Sequence, residues 1–212
     1  MIFTERCLAM SVLKSYGFSG FIGLLYAFVM TKIFFGSCRL VRQPIYIRNR
    51  NLIDFGKGLT TGRHCRIDCF PIGNKSRKIV FGRNCQINDN VHLAAASNIT
   101  FGDNVLIASR VYISDHNHGA YKGNRQSNPS EIASERHLET YPISIGDNVW
   151  IGEGVAILPG VSIGNNTVIG ANSVVTRSFG DDLIIAGNPA QVIKIYCGVK
   201  GEWVLKKDVS SN

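Results

Sequence analysis

A repeat of six residues in the C-terminal part of the chain constrains the fold more than any other feature. From residue 145 the sequence reads IGDNVW IGEGVA ILPGVS IGNNTV IGANSV V. One phase of this repeat is aliphatic throughout, at Ile145, Ile151, Ile157, Ile163, Ile169 and Val175. The positions two residues earlier are small or β-branched, at Ile143, Val149, Val155, Val161, Thr167 and Ser173. A period of six is not helical. It predicts a parallel β-helix, in which each hexad forms one short face and three hexads close one coil.

The same phase continues upstream, more weakly. The aliphatic or aromatic position recurs at Phe55, Thr61, Ile67, Phe81, Ile87, Leu93, Phe101, Ile107 and Ile113. These hexads and the later ones together predict an all-β fold of about five coils, roughly 24 Å tall at one strand spacing per coil. Gly and Asn between the aliphatic positions are suited to turns in which φ is near or above zero.

Two excursions interrupt the repeat. The first spans residues 69–79, and the second separates Ile113 from Ile145. The second begins in the stretch YISDHNHGAYKG, which contains two of the five histidines, His116 and His118. Long loops in compact domains are usually functional. We therefore predict an active-site loop over residues 114–144.

The N-terminal part is apolar but is not a simple membrane span. Residues 17–38 read GFSGFIGLLYAFVMTKIFFGSC, and Lys32 interrupts the apolar run. Two interpretations stay open: a helix packed on the domain, or a monotopic helix that rests on a membrane. The sequence predicts three regions: a helical and extended segment over residues 1–50, the β-helix over 51–190, and a tail over 191–212.

Charge and cysteine content limit the partners. The net charge is +8, which favours anionic partners. The basic residues form no dense run interleaved with aromatics, so a diphosphate-bearing ligand or a lipid surface is expected rather than nucleic acid. The six cysteines form no C-x-x-C pair, which indicates reduced, mostly buried thiols in a cytosolic protein. They are Cys7, Cys38, Cys65, Cys69, Cys85 and Cys197.

Several motifs resemble a known family. The hexads, DHNHG, NVWIG, ILPGVSIG, VIGANSVVT and IIAGNPAQVIK are similar to those of the hexapeptide-repeat acyltransferases. They resemble most closely the sugar O-acetyltransferases, among them the galactoside and maltose acetyltransferases. The stretch FFGSCRLVRQPIYIRNRNLIDFGKGLTTGRHCRID is similar to lipopolysaccharide O-antigen acetyltransferases. The resemblance implies a left-handed coil, a homotrimer with active sites between subunits, and acetyl-CoA as the acetyl donor.

The resemblance also assigns roles to individual residues. His116 matches the catalytic histidine, and Asn88 matches a substrate-binding asparagine. Ala96 stands where galactoside acetyltransferases have a substrate carboxylate, which is a departure from that pattern. The acetyl-CoA contacts fall on Trp150, the backbone amide of Glu153, Ala171, Thr176 and Arg177.

General chemistry agrees with these roles. A sugar hydroxyl is a poor nucleophile, and a neutral imidazole can take its proton as it attacks a thioester, at a gain of roughly 10² to 10⁴ in rate. A backbone N–H can stabilise the oxyanion that forms. No nucleophilic Ser or Cys is needed, and we expect direct transfer in a ternary complex without a metal. Around His116, His118 could orient the acceptor or cap the turn, and Asp115 could hold the loop, orient the imidazole or contact substrate.

Other functions remain open at this point. A γ-type carbonic anhydrase also uses a left-handed β-helix, and His92, His116 and His118 would be its metal trio. A non-catalytic scaffold and a small-molecule acetyltransferase acting on serine, a free sugar or a xenobiotic are further alternatives. The acceptor expected from the resemblance is a sugar or a lipid-linked oligosaccharide. The expected location is the cytoplasm, with peripheral contact at the cytoplasmic face of the inner membrane as a second expectation.

Overall fold

The computed structural model describes residues 2–72 and 77–206, except for the side chains of residues 2–12. Cys7, predicted to be a reduced thiol, therefore lies outside the described side chains. The chain begins with helix α1 (Ile2–Phe34), which bends at Gly17, where φ is 68°. Short strands follow, joined by turns and two short 3-10 helices, Arg50–Leu52 and Ala133–Glu135.

The strands wind into a parallel β-helix with three flat faces. In chain order the strands are β1 (Leu40–Val41), β2 (Ile45–Arg48), β3 (Ile53–Asp54), β4 (Thr60–Thr61), β5 (Cys65–Cys69), β6 (Ile79–Phe81), β7 (Gln86–Ile87), β8 (His92–Ala95), β9 (Ile99–Phe101), β10 (Leu106–Ile107), β11 (Tyr112–Ser114), β12 (His116–His118), β13 (Leu138–Thr140), β14 (Ile143–Ile145), β15 (Trp150–Ile151), β16 (Ala156–Ile157), β17 (Ser162–Ile163), β18 (Val168–Ile169), β19 (Val174–Val175), β20 (Leu183–Gly187), β21 (Ala190–Cys197) and β22 (Glu202–Leu205).

Each coil contributes one strand to each face. The first face holds β1, β4, β7, β10, β15, β18 and β20; the second holds β2, β5, β8, β11, β16 and β19; the third holds β3, β6, β9, β14 and β17. We call the edge between the first and second faces the first corner, that between the second and third faces the second corner, and the remaining edge the third corner. A bridge from Phe179 to Ile163 extends the third face.

The predicted inward positions form the core. In register, Ile107 lies opposite Ile87 and Ile151, and Ile113 lies opposite Leu93 and Ile157. All fifteen residues of the predicted phase are buried. The parallel β-helix is thus confirmed, but its strands make six turns rather than about five. The extra turn begins at Leu40, inside the segment predicted to precede the coil.

Asparagines hold the third corner in the left-handed region. Asn104, Asn148 and Asn166 have φ of 59°, 55° and 56°. Their side chains form a ladder from coil to coil, since Asn104 Nδ2 donates to Asn148 Oδ1 and Asn148 Nδ2 to Asn166 Oδ1. A short polar side chain tolerates this conformation better than most residues do.

Among the side chains that the structure describes, the buried contacts of helix α1 with the coil lie near its C-terminus. Ala27, Thr31 and Phe35 are buried at i, i+4 and i+8. The Thr31 hydroxyl accepts a 2.7 Å hydrogen bond from the Val41 N–H and donates to the Ala27 carbonyl. On the outer side of the helix the apolar side chains are exposed, and Leu13–Phe34 is long and apolar enough to cross a membrane by length and composition alone. Packing on the β-helix therefore accounts for the buried residues along one stripe of the helix.

The C-terminal segment closes the far end of the coil. Strand β20 pairs in parallel with β18, and β21 and β22 then continue the first face as antiparallel strands. The predicted tail thus has regular structure up to Leu205.

The cysteines lie mostly inside the three-sided β-helix, which we call the prism. Within the described ranges Cys38, Cys65, Cys69, Cys85 and Cys197 are free thiols, and the first four are buried. Cys65 and Cys85 occupy the small inward positions of their hexads. Burial raises the pKa of the Cys69 thiol to about 12, which makes it unreactive as a nucleophile.

Candidate active site

The long excursion leaves the second corner as a two-stranded arm. Strand β12 pairs antiparallel with β13, and His116 lies opposite Thr140. The arm starts directly after the buried end of β11, so its first side chains are held by the coil while its tip extends over residues 119–137. His116 is at the base of this arm and has a side chain only 10% exposed.

A buried carboxylate orients the His116 ring. Asp115 is fully buried, and its Oδ1 lies 3.1 Å from His116 Nδ1. The same carboxylate accepts hydrogen bonds from the backbone N–H groups of Ala96 and Ser97, at 2.8 and 2.7 Å. These donors come from the coil below and fix the carboxylate rigidly. A carboxylate on Nδ1 favours the tautomer with the proton on that nitrogen, which leaves Nε2 as the basic nitrogen.

Packing holds the ring from its other sides. The edge of His116 meets Phe70 at 5.3 Å between ring centroids and 77° between planes. The Ser114 hydroxyl lies 3.4 Å from Nδ1. Of the three roles predicted for Asp115, its burial and its contact with His116 favour orientation of the imidazole, and substrate contact stays a prediction.

His118 faces outward on the same strand. It is exposed, and its ring centroid lies 6.4 Å from that of His116. That separation places both rings along one side of a molecule the size of a sugar. The geometry is compatible with acceptor contact by His118, which stays a prediction.

An open cavity of about 370 Å³ lies under the arm at the second corner. Its walls include Thr176 and Arg177, both predicted to contact acetyl-CoA, and also Lys122 and Tyr141. The Arg177 guanidinium donates to Gln191 Oε1 at 2.9 Å and stacks over Phe179 at 4.6 Å. These contacts hold one cation at the cavity wall in a fixed orientation.

The remaining predicted residues lie at a different edge. Asn88, Glu153 and Ala171 follow strands of the first face, at the first corner, and Trp150 is half exposed on the first face itself. The Glu153 carboxylate pairs with Arg110. Its backbone N–H and that of Ala171 have no acceptor among the described residues.

The open N–H groups of Glu153 and Ala171 contrast with the third corner. At the third corner the corresponding N–H groups are capped by side chains of the next coil, as Asp103 N–H is by Asp147 and Asp147 N–H by Asn165. Glu153 and Ala171 are exposed, so their N–H groups are accessible to a hydrogen-bond acceptor from outside the chain. The row at Glu153 and Ala171 is therefore suited to pair with the amides of an extended ligand.

The predicted site residues of one chain thus lie at two different corners. His116, His118, Thr176 and Arg177 lie at the second corner, whereas Asn88, Glu153 and Ala171 lie at the first. Phe70, Ser114 and Lys122 were not predicted. Lys122 lies in the long loop, where a basic residue was a usable signal, but Phe70 and Ser114 become neighbours of His116 only through the stacking of coils.

The histidines proposed as a metal trio have other partners. His92 Nε2 lies 3.3 Å from the buried Asp68, while His116 turns to Asp115. Burial lowers the pKa of His92, against the opposing effect of Asp68. In the part of the chain that the structure describes, no group of three His, Cys, Asp or Glu side chains could hold a metal ion.

Comparison with known families identifies relatives. Residues 142–177 match the family model described as bacterial transferase hexapeptide (six repeats). The chain is 44% identical over 184 residues to the "Putative lipopolysaccharide biosynthesis O-acetyl transferase WbbJ" of Escherichia coli (strain K12), an alignment that covers 86% of this chain and 92% of that protein.

Solved structures agree with these matches. A maltose O-acetyltransferase from Clostridium difficile 630 is 34% identical, with a TM-score of 0.57 over 69% of this chain and 71% of that one. A galactoside acetyltransferase in complex with coenzyme A is 29% identical, with a TM-score of 0.52 over 74% of this chain and 72% of that one.

Proposed function

The chain belongs to the hexapeptide-repeat O-acetyltransferases that use acetyl-CoA, and on that premise we propose that it acetylates a sugar hydroxyl during synthesis of lipopolysaccharide O-antigen. The observation that carries this proposal is the buried Asp115–His116 pair at the base of the arm. It supplies an oriented imidazole at the base of the longer of the two excursions from the repeat.

The proposed reaction is a direct transfer. His116 Nε2 takes the proton of the sugar hydroxyl as its oxygen attacks the thioester carbonyl. The new C–O bond forms, the C–S bond breaks, and the proton passes from the imidazolium to the departing thiolate of CoA. The Asp115 carboxylate stabilises the imidazolium between these two steps, as a buried acid beside histidine does in hydrolase triads.

Acetyl-CoA is proposed to lie along the first corner of one subunit. The open N–H groups of Glu153 and Ala171 are placed to pair with the pantetheine amides or the thioester oxygen. Trp150 offers an exposed aromatic surface beside them. The phosphates carry negative charge, and Lys122 and Arg177 supply positive charge at the cavity under the arm.

In the proposed homotrimer, the second corner of one subunit meets the first corner of another. Because His116 and Glu153 lie at different edges of one chain, each complete site needs the second corner of one subunit and the first corner of another. Closed threefold symmetry provides three such sites from one kind of contact. Asn88 would then approach the acceptor from the subunit that presents Glu153.

The cell location is proposed from helix α1. Its outward apolar side chains and the basic residues that flank the apolar stretch 17–36, including Lys14, Arg39 and Arg42, suit the cytoplasmic face of the inner membrane. Acidic lipids attract such a flank by about 1 kcal/mol per nearby basic residue. Arg6 belongs to the same flank in the sequence, but its side chain lies outside the described set.

The proposal is tested on cell-surface polysaccharide. Cells that lack the protein are complemented with the parent or with His116→Ala, and the polysaccharide is analysed by mass spectrometry and NMR. We expect an acetyl group on one sugar position with the parent and its loss with the variant. Identical polysaccharide in both strains would overturn the proposed function.

A further inference from the structure

A basic cleft separates helix α1 from the first corner. Two adjoining cavities, of about 420 and 620 Å³, lie between the helix and coils one to four. Leu24, Arg42 and Arg63 line both of them, so the two arginines lie where the cavities meet. Asn88, predicted to contact the acceptor, lines the larger cavity.

The two guanidinium groups are poorly neutralised. Arg42 donates one hydrogen bond, from Nη1 to the Thr61 carbonyl at 3.1 Å, and retains four N–H donors. The Arg63 side chain has no hydrogen bond or ion pair within the described ranges. Asp89 also lines the larger cavity, but its Oδ1 accepts the Arg63 backbone N–H at 2.6 Å. Neither arginine forms an ion pair with a carboxylate in the described part of the chain.

Gly23 of helix α1 makes room for this arrangement. A Cβ at Gly23 would come within 3.3 Å of Arg63 Nη2, so Gly23 lets the guanidinium lie close to the helix backbone. On the outer side of the same helix, Phe18, Ile22 and Leu25 are 75%, 48% and 50% exposed. The two cations and the apolar surface therefore lie on opposite sides of the same helix.

We propose that this cleft binds the diphosphate of a lipid-linked oligosaccharide, with the lipid chain along the outer surface of α1. This inference rests on the proposed function and names the acceptor class. Paired guanidinium groups bind phosphate oxygens by charge-assisted hydrogen bonds, and the exposed apolar side chains match the lipid rather than a soluble diphosphate. The second arginine is in coil two and His116 is in coil four, roughly 10 Å along the prism. That distance fits a sugar separated from the phosphate by part of an oligosaccharide.

The first test uses the full chain and defined vesicles. Phosphatidylcholine vesicles that contain polyprenyl diphosphate are compared with vesicles whose surface charge is matched by phosphatidylglycerol. We expect at least about tenfold tighter binding to the diphosphate, from several charge-assisted hydrogen bonds. The variant Arg42→Gln/Arg63→Gln should lose this preference. Lys194→Gln/Lys200→Gln, which changes the charge equally at the far end of the prism, should retain it.

Kinetics separate the lipid from a soluble diphosphate. The Arg42→Gln/Arg63→Gln variant should raise KM for a lipid-linked oligosaccharide at least about tenfold while leaving kcat, and transfer to a free sugar, unchanged. Phe18→Ser/Ile22→Ser/Leu25→Ser should weaken vesicle binding without changing transfer to a free sugar. Each variant is first compared with the parent by circular dichroism and thermal unfolding.

Three results would overturn the inference. Equal binding of the parent to both kinds of vesicle would show that only surface charge is recognised. An equal rise in KM for a nucleotide diphosphate sugar would assign the cleft to a soluble diphosphate. Unchanged KM and binding in the arginine variant would remove the cleft from acceptor binding. A parent that acetylates no sugar in any form would instead contradict the proposed function, which is a separate outcome.

Discussion

At the scale of single residues, the His116 ring decides whether the reaction has a base. His116→Ala removes that base, so kcat should fall by roughly 10² to 10⁴ while acetyl-CoA affinity stays nearly unchanged. His116→Asn should behave in the same way. His118→Ala should mainly raise KM for the acceptor, by about tenfold, the scale of one hydrogen bond. Steady-state kinetics on folded protein distinguish these effects, and a loss of kcat in His118→Ala alone would reverse the two assignments.

Asp115 has a different predicted role, because its carboxylate hydrogen-bonds to His116 and to two backbone N–H groups of the coil. In Asp115→Asn the amide can present N–H to Nδ1 and place the imidazole proton on Nε2, the wrong nitrogen for a base. We expect kcat to fall at least about tenfold at every pH with KM unchanged. Asp68→Asn is the control, since Asp68 is nearly as buried but pairs with Arg48, Arg66 and His92 rather than with His116. A parental kcat in folded Asp115→Asn would contradict the positioning role.

Sequence reasoning proposed His116 as the base because it lies at the break of a regular repeat and matches the catalytic histidine of the family that the chain resembles. It left the role of Asp115 open, since adjacency in sequence does not show burial. Phe70 could not be found in this way. Its contact with His116 depends on which coil lies beneath the arm, and residues 69–79 interrupt the pattern that would reveal it.

At the scale of elements, the close stacking of turns limits the size of the side chains that each corner can accommodate. A Cβ on Gly102 would come within 2.7 Å of the Gly146 carbonyl carbon and 2.8 Å of the Asp147 nitrogen. Gly102→Ala should therefore lower stability by about 1–3 kcal/mol, the usual cost of overpacking. Gly180→Ala at the same corner meets nothing within 4 Å and should be nearly neutral. Thermal unfolding of the two variants checks the difference, and equal melting temperatures would contradict it.

The stack of strands was predictable because six-residue spacing repeats the same burial at each coil. The first turn was harder to detect. Val41 and Ile47 keep the spacing of six, but the next position in register is Phe55, eight residues later and beyond a 3-10 helix. Pro44 and nearby arginines also make the stretch resemble a connector. The arm was predicted only as a loop, since pairing of β12 with β13 follows no hexad pattern.

At the scale of the whole molecule, periodicity in one chain gives no information on which edges of two chains meet. The division of predicted residues between corners suggests an experiment. If each site combines the second corner of one subunit with the first corner of the next, His116→Ala damages one half-site and Asn88→Ala the other. Each variant alone forms a trimer in which every site is damaged.

Mixing the two variants should restore activity. After unfolding and refolding together in equal amounts, about three quarters of closed trimers contain both kinds of subunit. Each mixed trimer has one site built from two undamaged corners, whichever variant is in the majority. Activity should therefore approach about one quarter of the parent's, well above either variant alone. Refolding each variant separately before mixing is the control, since intact trimers cannot exchange half-sites. If co-refolded protein is trimeric by sedimentation but no more active than the control, then each site lies within one chain, and the shared site is wrong.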